Sequence, residues 1–186
     1  MKELKFIHIT KCAGTTIEDL AKEKGIYWGR YDKEYGWWHE IFCKKGKYLK
    51  DKYDWFMIVR DPYDRILSEY YCRWGGEGKR DNFTKEEFNK FLIKKISKRS
   101  QSGHHYTEQY KYLDNDCNIK ILKYENLEEE FNNLMVRYNI DLKLNKHSNK
   151  SGKKKFSVSD FSSELVKMIN VVYKNDFSNF GYDMIN

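Results

Sequence analysis

Two apolar strands, each delivering a polar turn into a helix, constrain this chain more than any other feature. The first spans residues 6–16, Phe-Ile-His-Ile-Thr-Lys-Cys-Ala-Gly-Thr-Thr, and the second spans 56–68, Phe-Met-Ile-Val-Arg-Asp-Pro-Tyr-Asp-Arg-Ile-Leu-Ser. Each opening run is too short and too continuously apolar for an amphipathic helix and reads as a buried strand. Each turn carries a cation and hydroxyls, and the helix that follows aims unsatisfied N–H groups at the same spot. Two anion-binding turns in one chain of 186 residues point to a ligand with two separate phosphate-like groups.

Further elements follow along the chain. Residues 4–9 read as the first strand, and a helix runs from Gly14 to about Lys22, ended by Gly25. Residues 26–31 read as a second strand and 55–59 as the clearest one. Asp61 is a good N-cap, with Pro62 at the first helical position, for a helix to about Arg73. Thr84-Lys-Glu-Glu87 is a capping box for a helix through about Ile96. Residues 119–123 form another strand, and 127–138 and 160–175 have helical apolar spacing. Strand and helix alternate, so the fold class is α/β: a P-loop-like three-layer sandwich whose central, mainly parallel sheet is flanked by helices. In such sheets ligands bind at the carboxyl ends of the strands, where both turns lie. No linker is visible, so residues 1–186 are expected to form one domain. The glycine-bearing stretch 74–82 and the basic stretch 145–155 read as mobile loops.

Composition narrows the classes. Aromatic residues make up 17% of the chain, enough large rings to build a core and to argue against disorder. The formal net charge of +7 suits an anionic ligand, although solvating lysines give the same excess. Cys12, Cys43, Cys72 and Cys117 are widely spaced with no C-x-x-C pair, which argues against structural zinc and a disulfide framework. Reduced thiols in a cytoplasmic or other intracellular compartment are the expectation. Cys12 has two readings: a thiol activated beside Lys11 at a helix start, or a small residue fitting a tight loop. The chain opens Met-Lys-Glu-Leu-Lys without a signal peptide, and its apolar runs are too short to span a bilayer. A soluble protein with no membrane partner is expected.

The first turn follows P-loop logic without being a Walker A motif, which needs its lysine after the second glycine. Here Lys11 precedes Gly14, and small residues at Ala13 and Gly14 let the backbone approach an anion closely. No strand ends in a magnesium-binding aspartate, so an ordinary ATPase or kinase is disfavoured. In the second turn, an arginine fork and a serine hydroxyl, Arg60 and Ser68, suit a phosphate monoester. The competing reading makes Arg60, Asp61, Asp64 and Arg65 a structural ion-pair cluster.

Together the two segments resemble the PAPS-dependent sulfotransferases, especially their carbohydrate-type branch. That family's His-x-x-Lys-x-Ala-Gly-Thr-Thr/Ser loop is matched by His8, Lys11, Ala13, Gly14, Thr15 and Thr16, with Thr10 where proline is usual and Cys12 at a variable position. Its Arg-Asp/Asn-Pro-x-x-Arg-x-x-Ser run is matched by Arg60, Asp61, Pro62, Arg65 and Ser68. Weaker likenesses continue through His105 and Gln109, Leu122 to Leu127, Asn149 to Lys155, and Asp176-Phe177. The resemblance implies transfer of a sulfuryl group from PAPS to an acceptor, leaving PAP, with no metal required. It assigns the 5′-phosphosulfate to Lys11, Cys12, Ala13, Gly14, Thr15 and Thr16. The 3′-phosphate falls to Arg60 and Ser68, and Ser151, Gly152, Lys153 and Lys154 fall in a loop closing over the nucleotide.

An acceptor hydroxyl needs a general base, and the family uses His or Glu. Trp37-Trp38-His39-Glu40 lies between the two nucleotide motifs, where related carbohydrate sulfotransferases place a catalytic histidine. His39 and then Glu40 are the candidates, with Lys11 stabilising the leaving group; a plain core or surface histidine is the other reading. Trp37, Trp38 and His105 are candidate contacts for an acceptor, which the resemblance makes a glycan. His8 is expected to orient the first loop. A homodimer would complete a cleft that so short a chain leaves shallow. Two alternatives stay open: a nucleotide-binding protein of this fold without turnover, and a nucleic-acid binder using the basic stretch near 150–155. The absence of a recognisable nucleic-acid module disfavours the latter.

Overall fold

The computed structural model describes residues 2–32, 39, 41–42, 47–74, 82–101, 103–145 and 154–186. The chain divides into two compact units. The first takes residues 1–60 and 111–148, and the second takes 61–110 and 149–186.

The first unit is built on a parallel sheet of three strands in the order β1-β2-β3. These are β1 (Leu4–Ile7), β2 (Asp54–Val59) and β3 (Ile119–Lys123). Phe6 pairs with Phe56, and Met57 pairs with both Ile7 and Ile121. Strand β2 is central and buried from Trp55 to Val59, which is why its sequence is continuously apolar instead of alternating. The same unit contributes helices α1 (Gly14–Glu23), α2 (Lys47–Lys52) and α5 (Leu127–Arg137). Phe131, Leu134 and Met135 of α5 and Ile17 and Ala21 of α1 are buried, giving the mixed α/β architecture expected from the alternation of elements.

The second strand expected over residues 26–31 does not form. Residues 26–28 have no regular structure and Gly29–Tyr31 is a 3₁₀ turn. Local hydrogen bonds explain the difference. The Trp28 indole N–H donates to the Leu4 carbonyl at 2.9 Å, and the Arg30 N–H donates to the Glu18 carboxyl at 3.1 Å. Side chains take up what a ladder would have used. Gly29 has φ +53°, and a Cβ there would collide with Glu18, so the turn needs glycine.

The second unit is helical, with α3 (Pro62–Tyr70), α4 (Lys85–Ser97), α6 (Ser163–Val172) and α7 (Lys174–Phe180). Tyr63, Ile66, Tyr70, Phe88, Leu92, Leu165, Ile169 and Phe177 share its core. Asp61 caps α3 by accepting from the N–H groups of Tyr63 and Asp64. The capping box of α4 forms as its sequence dictates: Thr84 Oγ1 accepts from Glu87 N, and Glu87 accepts from Thr84 N at 2.7 Å. The helix expected over 160–175 is instead two helices meeting at Tyr173. Asn89 holds the entry to α6, donating to the Asp160 carbonyl and accepting from Ser162 N, while Ser162 caps the helix. Beyond the break, buried Asp176 accepts from the N–H groups of Gln109 and Tyr110 at 2.9 and 2.8 Å. Two of the weaker family likenesses thus meet in one hydrogen-bonded cluster.

Candidate active site

The turn between β1 and α1 is shaped as an anion cradle. Lys11 and Ala13 both adopt left-handed backbone, at φ +61° and +62°, a combination uncommon for residues with a Cβ. Alternation of this kind turns successive N–H groups toward one concave face. Helix α1 begins at Gly14 with no side-chain cap. Its first amides therefore lack the side-chain partner that an N-cap serine or aspartate would give. Thr10, Cys12 and Gly14 are buried, Lys11, Ala13 and Thr16 are half-buried, and Thr15 is exposed. The Cys12 thiol donates to the Thr10 carbonyl at 3.4 Å and is 1% exposed, which favours the packing role over the activated thiol.

Beneath the turn lies a buried pair. His8 Nδ1 is 2.6 Å from Glu18 Oε1, and both side chains are almost wholly enclosed. A Cβ on Gly14 would collide with the His8 ring, so the helix can start this close only with glycine. Burial pushes Glu18 up to about 7, against the pull of the Arg30 amide and guanidinium. Burial, and then the charges of Arg30 and Lys11, push His8 down to about 3. Between those limits the pair keeps one shared proton and no net charge. His8 lies against Gly14 beneath the turn, and the residue that holds it there, Glu18, escaped the sequence reading. A signal was available: Gly14, Ile17, Glu18 and Ala21 form the buried stripe of α1, and an acid on such a stripe needs a partner.

Two further candidates converge on this turn within the first unit. Arg60, one residue beyond β2, extends Nη1 to 3.5 Å from the Lys11 carbonyl and lays its guanidinium 4.2 Å from the centre of the Tyr124 ring. Adjacent parallel strands thus bring the cation of the second motif to the backbone of the first. His39 also adopts left-handed backbone, at φ +65°. Its ring stands edge-on to His8 at 4.2 Å between centroids, and its Nδ1 lies 3.3 Å from the His8 carbonyl. The Tyr112 hydroxyl donates to the His39 carbonyl at 3.1 Å. Because a carbonyl only accepts, Nδ1 carries the hydrogen of that contact.

The remaining candidates belong to the second unit or lie outside the described residues. Ser68 is half-buried on α3. Arg65 is 1% exposed, and its charge opposes the effect of burial on Asp176. His105 turns Nδ1 to Glu69 at 2.9 Å, so that nitrogen is committed within the unit. Lys154 is exposed, with Nζ 5.6 Å from the Tyr71 ring centre. Trp37, Trp38, Glu40, Ser151, Gly152 and Lys153 lie outside the described residues. Among those described, no helix is long and apolar enough to cross a membrane.

No curated protein and no solved structure matches the chain. A family model described as the sulfotransferase family matches residues 2–183, nearly its whole length. The left-handed turn at the end of β1, the arginine at the end of β2 and that match agree: the chain belongs to the sulfotransferase family, as a PAPS-dependent enzyme.

Proposed function

We propose that the enzyme moves the sulfuryl group of PAPS to a hydroxyl of a carbohydrate, with His39 as general base. The observation that carries this reading is the grouping of Lys11, Arg60 and His39 around one turn at the carboxyl ends of β1 and β2. In the reaction, the acceptor oxygen forms a bond to sulfur as the bond from sulfur to the 5′-phosphate oxygen breaks, in line. The acceptor proton passes to His39 Nε2, and the departing PAP carries away the negative charge. Lys11 and the loop amides lie where that charge grows, so they stabilise the transition state more than the ground state. Arg60 holds the 3′-phosphate. Glu18 acts through His8, keeping the imidazole under Gly14 and so keeping the turn in shape. Glu40 is the second choice as base, and Trp37 and Trp38 offer stacking faces to a sugar.

Three features support this reading against a nucleotide binder without turnover: the lysine, the arginine and a histidine whose ring lies against His8 at the same turn. The test is transfer of radiolabel from PAPS to a panel of glycans, peptides and lipids. Label on a glycan, lost in His39→Ala while PAP still binds, is the expected result. Label on peptide or lipid alone would overturn the glycan assignment. Undiminished turnover in His39→Ala would remove it as the base.

A further inference from the structure

In the second unit, three donors of different kinds meet where α3 ends. Glu69 is fully buried on α3, Cys72 is 8% exposed just beyond it, and His105 comes from the turn at 103–106. The Cys72 N–H donates to the Glu69 carbonyl at 2.9 Å, which closes the last turn of the helix and fixes the spacing of the two residues. His105 Nδ1 is 2.9 Å from Glu69 Oε2, and one ligand atom from each of the three residues lies within 4.8 Å of the others.

We propose that Glu69, Cys72 and His105 form a site for a zinc-type divalent cation, with water as the fourth ligand. The donor set selects the ion. Sulfur, imidazole nitrogen and one carboxylate oxygen suit zinc, whereas magnesium and calcium need oxygen shells. Three protein ligands leave one tetrahedral position open, and His105, with 23% of its side chain exposed, gives an ion a path from solvent. Geometry agrees. With zinc bonds of about 2.0 Å to nitrogen and oxygen and about 2.3 Å to sulfur, ligand atoms stand roughly 3.3–3.6 Å apart. The nitrogen–oxygen pair is already slightly closer than that, and sulfur has at most roughly 1.3 Å to travel. The turn bearing His105 has Gly103 at φ +61° and open space around it. Pattern reading misses such a site because Glu-x-x-Cys with a distant histidine matches no compact zinc motif. The bound ion would fasten the 103–106 turn to the helix that carries Ser68.

The test uses untagged full-length enzyme stripped with a chelator. Zinc is titrated against a chromogenic competitor, and cobalt is added separately as a spectroscopic probe. The expected result is one equivalent of zinc and a thiolate-to-cobalt charge-transfer band. Both should vanish in Cys72→Ser and persist in Cys117→Ser, whose thiol lies outside the cluster. His105→Gln should weaken zinc by more than the roughly 10- to 100-fold that loss of a supporting partner costs. A cobalt complex without the thiolate band, or zinc affinity unchanged in Cys72→Ser, would overturn the proposal. The wild-type spectrum decides even where a variant folds poorly, and neither readout depends on PAPS.

Discussion

A single glycine sets how closely α1 can approach β1. Gly14 rests against the His8 ring, and any Cβ there forces either the ring or the helix start to move. Gly14→Ala is therefore expected to destabilise the fold by about 1–3 kcal/mol, the usual range for overpacking, and to weaken PAP binding as the turn opens. Thermal unfolding and calorimetry on the same variant check both effects. The pair beneath it sets a pH dependence. Glu18 is raised, so the folded chain keeps a proton that the unfolded chain loses near pH 4.5; that gain is lost as pH rises through about 7. His8 is lowered, so the unfolded chain binds a proton near pH 6.5 that the folded chain refuses until about 3; that gain is lost as pH falls. From about pH 4.5 to 6.5 the two slopes cancel. Below 4.5 the His8 slope stands alone, so stability falls with pH down to about 3. Glu18→Gln leaves the His8 slope unopposed, so the variant should gain stability relative to wild type across pH 4.5–6.5. Urea unfolding of both proteins through that window measures the difference. A constant difference would mean that the pair does not share its proton.

At the level of elements, what could be read in advance was what local chemistry decides. Strand β3 formed over the expected residues 119–123, and α4 was legible from Thr84 and Glu87, whose reciprocal capping needs nothing beyond four residues. Thr84→Ala should cost about 1 kcal/mol in chemical denaturation while leaving turnover unchanged, since it removes a cap and touches no candidate group. Residues 26–31 were misread because their fate depends on Glu18 and on Leu4, partners more than ten residues away that no window contains. The break at Tyr173 was invisible for the same reason: helical periodicity runs through it, and the pull on Asp176 comes from Gln109 and Tyr110. At the first turn, the close approach at Gly14 was legible because its small residues stand in consecutive positions. Glu18 and the Glu69–Cys72–His105 cluster were not, because their contacts are made only in three dimensions.

For the whole molecule, the question is whether turns from two crossovers serve one ligand. The grouping of Arg60 with the Lys11 backbone supports that, as does the excess of positive charge. A ligand that binds only the folded chain raises its stability by mass action, so PAP at 100 times its Kd should add about 2.7 kcal/mol, and ATP or short DNA should add much less. Lys11→Ala should lower turnover by roughly 10²–10³, the range for losing one donor to a developing oxyanion. The most direct measurement is calorimetric titration of PAP and of adenosine 5′-phosphate into wild type, Lys11→Ala and Arg60→Ala. Wild type should prefer PAP, Lys11→Ala should bind both ligands more weakly, and Arg60→Ala should lose roughly tenfold or more for PAP and, with it, most of the preference. An Arg60→Ala enzyme that still chose PAP as strongly as wild type would show that the end of β2 does not hold the 3′-phosphate, contradicting the one-ligand assignment.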